Sequence, residues 1–172
     1  DLRHPVRHPF VAALPIAVLL LATVSVATRG PDLAGQVLWW AGSLLQLWVT
    51  LWVLSKWWRG NVQGGLQWAT VTPALFIPIV GHVLVPLAGV PLGDAGRSAA
   101  HLGIGLMFWP VVLVMLMVRV AVAGLWPERL RPAVFILIAP PAVVGLALLQ
   151  LGAPLAVAWA MWGMALFSFL WA

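Results

Sequence analysis

The sequence contains no cysteine, which excludes disulfides and thiolate chemistry and leaves the compartment open. Charge is almost as scarce. Only 8% of the residues are Asp, Glu, Lys or Arg, where soluble domains carry about a quarter. The four acidic residues, Asp1, Asp32, Asp94 and Glu128, all fall outside the long apolar runs. Cation pathways and proton relays through a membrane normally use intramembrane carboxylates, so their absence argues against both. The net charge of +5 comes from arginines and one lysine near segment ends. They build no basic face that could lie on a phosphate backbone, so nucleic acid is not an expected partner.

What fills the chain instead is apolar: 63% of its 172 residues are hydrophobic and the mean hydropathy is +1.06. That composition defines an all-α, polytopic integral membrane protein. Runs of about 20 apolar residues predict one transmembrane domain over residues 1–172. Its six spans lie at about 10–28, 35–55, 69–90, 98–123, 132–152 and 154–172. Short connections make successive spans antiparallel neighbours. The first run also has the basic start and small-residue end of a secretory signal peptide, but five further spans follow it.

Positive charge sets an orientation. Arg3, Arg7, Lys56, Arg59, Arg119, Arg129 and Arg131 belong to one side of the bundle, and only Arg29 and Arg97 to the other. The positive-inside rule then places both ends of the segment in the cytoplasm of a bacterial-type inner (plasma) membrane.

The spans also alternate in character. The second, fourth and sixth hold Trp39, Trp40, Trp48, Trp52, Trp57, Trp58, Trp109, Trp159, Trp162 and Trp171, as bulky indoles suited to a lipid-facing or interfacial surface. The odd spans hold the helix-disturbing prolines: Pro15 in the first, Pro73, Pro78 and Pro86 in the third, and Pro140 with Pro141 in the fifth. Proline frees a carbonyl, which membrane protein tolerates only beside other protein or a wet cavity. The odd helices are therefore expected inside, around a pathway, with the even helices outside. Pro78, His82 and Pro86 recur every four residues on one face, with Gly81 beside them allowing close backbone approach. An uncharged, kinked pathway with a basic rim favours anions.

No catalytic residue, metal site or cofactor is read from the sequence. Thr23, Ser25, Ser43, Thr50 and Gln46 have no histidine or carboxylate partner at a useful spacing, and are expected to bond within or between helices. His82 and His101, on neighbouring helices, offer an alternative as axial ligands of a haem in an electron-transfer subunit. Their expected depths differ by several ångströms, against that reading. A non-transporting assembly subunit is a further alternative. An unperturbed histidine titrates near pH 6.5, so a pore-facing His82 would raise anion flux on acidification. At the N-terminus, Arg3 and Arg7 within "HPVRHPF" are candidates for a cytoplasmic anion-collecting vestibule.

Taken in order, these segments resemble the tellurite-resistance and dicarboxylate transporter family, which includes the plant slow-type anion channels. "HPVRHPFVAALP" is similar to the approach to that family's third helix, and "WWAGSLLQLWVTLWVLSKWW" to its fourth. "TPALFIPIVGHVLVPLAG" resembles the fifth, "GLMFWPVVLVMLMVRV" the sixth, "LRPAVFILIAPPAVVGLAL" the seventh and "WAMWGMALFSF" the eighth. The resemblance implies part of a ten-helix, five-hairpin pore, with kinked odd helices inside and even helices outside, usually assembled as a homotrimer. It implies transport of chloride, nitrate, sulfite, dicarboxylate or tellurite-type anions, without catalysis. Pro15, Pro73, Pro78, Pro140 and Pro141 then fall on pore-lining helices, joined as candidates by Gly81, His82 and Pro86. Three of five pore walls are represented, so the chain is expected to be an internal segment of a longer protein. The family helix that carries a pore-blocking phenylalanine has no counterpart in it.

Overall fold

A computed structural model describes residues 8–59 and 68–172. Six α-helices run through them: α1 Ala13–Arg29, α2 Leu33–Trp57, α3 Ile77–Gly89, α4 Ala95–Ala123, α5 Ala139–Gln150 and α6 Leu155–Trp171. Among the described residues there is no strand, and four stretches are long and apolar enough to cross a bilayer: Phe10–Arg29, Leu33–Trp57, Ala95–Ala123 and Leu130–Gln150. Pro73–Gly89 and Leu155–Trp171 are apolar but shorter.

Consecutive helices pair as hairpins, α1 with α2, α3 with α4 and α5 with α6. The odd helices then pack side by side in the order α1, α3, α5, and α2 also leans on α3. As a result α3 is the centre of the bundle, with nearly every residue buried. Its core partners include Leu102, Trp109, Val112 and Leu116 of α4 and Val144 and Ala147 of α5. On the other flank Val85 and Ala88 meet Leu19, Ala22 and Val26 of α1 and Trp39 of α2. The hairpin turns at the end opposite Arg119 are locked by polar contacts. Asp32 caps α2 by accepting from the Gly35 N–H at 2.6 Å and lies 3.5 Å from Arg29. Asp94 accepts from Arg97 Nε at 2.7 Å.

The prolines do something more specific than bend helices midway. Pro15, Pro78, Pro140 and Pro141 all lie in the first turn of their α-helix, where backbone N–H groups have no helical acceptor to lose. The α-helices of the third and fifth spans accordingly begin later than the apolar runs do. Each is led in by tighter 3₁₀ winding, over Pro73–Phe76 and Glu128–Ile138. The reason is visible in single hydrogen bonds. Pro78 cannot donate to the Ala74 carbonyl, and Ile77 N–H does so instead. Pro140 cannot donate to Ile136, and Ala139 N–H takes its place. Moving the donor one residue back is what 3₁₀ winding is. Pro86 is the exception: it lies inside α3 and leaves the His82 carbonyl without its helical donor.

The tryptophans divide instead of all facing lipid. Trp48, Trp58, Trp159 and Trp171 are exposed, but Trp39 and Trp109 are buried. An indole N–H in an apolar interior needs an acceptor, and the interior supplies carbonyls of the proline-bearing segments. Trp39 Nε1 donates to Val85 O at 2.9 Å, Trp126 Nε1 to Val71 O at 3.0 Å and Trp162 Nε1 to Ala142 O at 3.3 Å.

Candidate functional site

Four polar side chains of the membrane interior converge on one place, the face of α3 that carries Pro78 and His82. Two turns of α2 present Gln46 and Thr50 to it, and α4 presents His101. Gln46 Nε2 donates to Pro78 O at 2.6 Å and to Thr50 Oγ1 at 3.2 Å. Thr50 Oγ1 lies 3.1 Å from Pro78 O and 2.9 Å from His82 Nε2. The other nitrogen of His82, Nδ1, lies 3.0 Å from His101 Nδ1. The two imidazoles are nearly coplanar, 28° apart with centroids at 5.1 Å, so they meet edge to edge. The chain His101–His82–Thr50–Gln46 thus ties three helices together, with His82, Thr50 and Gln46 buried and His101 partly so.

A contact between two Nδ1 atoms holds one proton, with one ring donating and the other accepting. Two neutral arrangements satisfy the whole set. Thr50 can donate to Pro78 O, so that His82 Nε2–H donates to Thr50 and His82 Nδ1 accepts from His101. Alternatively Thr50 donates to His82 Nε2, and His82 Nδ1–H donates to His101. Gln46 makes the same two donations in both. The Nδ1–Nδ1 contact has room for only one proton between the two rings, and a second would set two N–H groups against each other.

Gly81 has a defined role in this cluster. A Cβ at position 81 would fall 2.2 Å from both Cδ and Oε1 of Gln46, so the glycine is what lets the Gln46 amide lie against the α3 backbone. Gly81 and His82 consequently face α2 and α4. Pro15, Pro73, Pro78, Pro86, Pro140 and Pro141 are all buried between helices. The structure brings Pro78, Gly81 and His82 together as one cluster, with Pro86 one turn further along α3. Pro15, Pro140 and Pro141 lie on separate helices of the same row. Arg3 and Arg7 lie outside the described residues.

Two expectations need correction. Thr50 does have a histidine partner, His82, which its sequence separation concealed. No carboxylate joins them, and the Thr50 hydroxyl is also bound to the Pro78 carbonyl. The depth mismatch between His82 and His101 also disappears. Helix α3 ends at Gly89 and α4 starts at Ala95, so at about 1.5 Å per residue both rings lie about 9–10 Å below the turn. Their direct contact does not fit a haem. Two ligands at about 2 Å on either side of an iron stand about 4 Å apart with the metal between them, and these nitrogens touch at 3.0 Å. Sequence reading missed Gln46, Thr50 and His101 as members of the cluster. The available signal was Gln46 and Thr50 recurring at i, i+4 as polar positions on one face in the middle of α2.

Over residues 1–172 the chain matches the voltage-dependent anion channel (SLAC1) family. It belongs to that family, a class of polytopic membrane proteins of anion-channel type. Among curated relatives it is 28% identical over 156 residues to the S-type anion channel SLAH2 of Arabidopsis thaliana, covering 89% of this chain and 29% of the relative. It is 26% identical over 137 residues to the Tellurite resistance protein TehA homolog of Haemophilus influenzae, covering 79% of this chain and 40% of the relative. The chain thus spans well under half the length of either.

Proposed function

We propose that this chain is part of a transmembrane anion channel or exporter, with α1, α3 and α5 forming one wall of the anion path. The observation that carries the reading is the side-by-side row of these three helices, which hold the proline-led turns and no acidic residue. A path walled by backbone dipoles and apolar side chains admits anions without binding them tightly. Pro15, Pro73, Pro78, Pro86, Pro140 and Pro141 shape this wall. Gly81 and His82 act behind it, bracing α3 against α2 and α4. The substrates are small anions of the chloride, nitrate, sulfite, dicarboxylate or tellurite type, and no catalytic step is involved. The working form is a homotrimer in the bilayer of a bacterial-type inner membrane, with both ends of this segment cytoplasmic. Arg3 and Arg7 belong to its cytoplasmic vestibule.

The test is anion flux in proteoliposomes under a set membrane potential, using the full-length parent protein and a panel of chloride, nitrate, sulfite and malate. Voltage-driven flux of at least one anion is expected. A folded protein that moves none of them would sink the reading.

A further inference from the structure

Carboxylates pair with three of the described arginines, and Arg119 is not one of them. At one end of the bundle Asp32 pairs with Arg29 and Asp94 with Arg97. At the other end the described carboxylate is Glu128, which is exposed and reaches Arg131 at 3.8 Å. Arg119 of α4 is only 9% exposed and has no carboxylate partner among the described residues. One terminal nitrogen, Nη1, donates to the Gly124 carbonyl. Its guanidinium lies over the Trp126 ring, with Cζ 5.2 Å from the centroid, while Nε is buried with no hydrogen-bond partner. A buried cation held by one carbonyl and an indole face keeps most of its desolvation cost. It is a group that still requires an anion.

Arg131 converges on the same residue. Its Nε donates to the Trp126 carbonyl at 3.4 Å, a long bond. With Glu128 also distant, the half-exposed guanidinium keeps donors to spare. Trp126 is itself fixed: it is 3% exposed, and its indole N–H is bonded to Val71 O, just before the proline-led start of α3. Two arginines therefore contact one buried tryptophan, Arg119 over its ring and Arg131 at its carbonyl.

We propose that Arg119, Trp126 and Arg131 form a binding site for an oxyanion of the phosphate or sulfate kind, where α4 hands the chain to α5. Arginine forks match tetrahedral oxyanions with paired, charge-assisted hydrogen bonds. Arg119 supplies the buried charge and Arg131 the accessible fork. Through Trp126 and Val71 the bound anion steadies the lead-in to α3. The chemistry is the same for a lipid headgroup phosphate and for a free oxyanion, and the site stands whether or not the odd helices carry the anion path.

The experiment measures thermal unfolding of the full-length protein in phosphatidylcholine nanodiscs, in two arms. One replaces chloride by inorganic phosphate at constant ionic strength, and the other replaces part of the lipid by phosphatidylglycerol. A raised midpoint in at least one arm is expected. A rise with phosphatidylglycerol alone assigns the site to a headgroup, and a rise with phosphate assigns it to a free oxyanion. Arg131→Gln, at a half-exposed position that folding tolerates, should raise the half-saturating phosphate or lipid fraction about ten-fold or more. Arg119→Gln should abolish the response whatever its own baseline, and Arg119→Lys should restore only part of it. No rise in either arm, or an equal rise in wild type and both glutamine variants, would overturn the proposal.

Discussion

Gly81 shows how much one missing side chain decides. With a Cβ point only 2.2 Å from the Gln46 amide, Gly81→Ala must push α2 away from α3 or expel the amide from Pro78 O. Overpacking of this kind costs about 1–3 kcal/mol. The double variant Gly81→Ala with Gln46→Ala removes the obstacle, so its loss should be clearly smaller than the sum of the two single losses. Thermal unfolding of all four proteins checks this, and strict additivity would contradict the geometry. The sequence allowed the face of Pro78, Gly81 and His82 to be recognised as unusual, because its spacing and polarity stand out in an apolar run. Which way that face points was not legible. Orientation depends on which neighbour can satisfy His82, and Thr50 and His101 lie 32 and 19 residues away.

Helix boundaries carry the next level of meaning. Apolar runs locate the third and fifth spans, yet hydropathy is blind to winding, and the switch from 3₁₀ to α is set by which residue can donate a hydrogen bond. Proline positions hold that information once each is asked whose carbonyl it abandons. Pro86 is the one odd-helix proline beyond the first turn of a described α-helix, so it is the place to test whether the broken hydrogen bond serves transport. Pro86→Ala returns a donor to the His82 carbonyl. Interior prolines cost about 3 kcal/mol in ordinary helices, so the variant should be at least as stable as wild type while its anion flux changes several-fold. Flux and stability both unchanged would mean that the missing hydrogen bond has no part in the pathway.

For the molecule as a whole, the six-helix order and the alternation of odd and even helices were legible, because length and hydropathy fix spans and proline content separates the rows. The burial of Trp39 and Trp109 was not. An indole serves a lipid boundary or an interior carbonyl equally well, and only packing shows which. Charge asymmetry predicts sidedness, and a single cysteine introduced into residues 1–172, which hold none, tests it. Pro91→Cys, in the exposed turn between α3 and α4, should react with a membrane-impermeant thiol reagent added outside intact cells. Leu125→Cys, beyond the end of α4 and 63% exposed, should react only after the membrane is opened. The reverse pattern would invert the topology and place the Arg119 site on the outer face.

The lead-in to α5 has a consequence for length. A residue in 3₁₀ winding advances about 2.0 Å, against about 1.5 Å in an α-helix. The 11 residues of Glu128–Ile138 and the 12 of α5 therefore reach about 40 Å end to end, where an α-helix of the same count would stop near 35 Å. The fifth span is a stretched ruler: its 3₁₀ half trades residues for distance and crosses the bilayer with fewer of them. Rewinding that half as α-helix would draw its two ends together by about 5 Å and rotate every side chain before Ala139 relative to those after it.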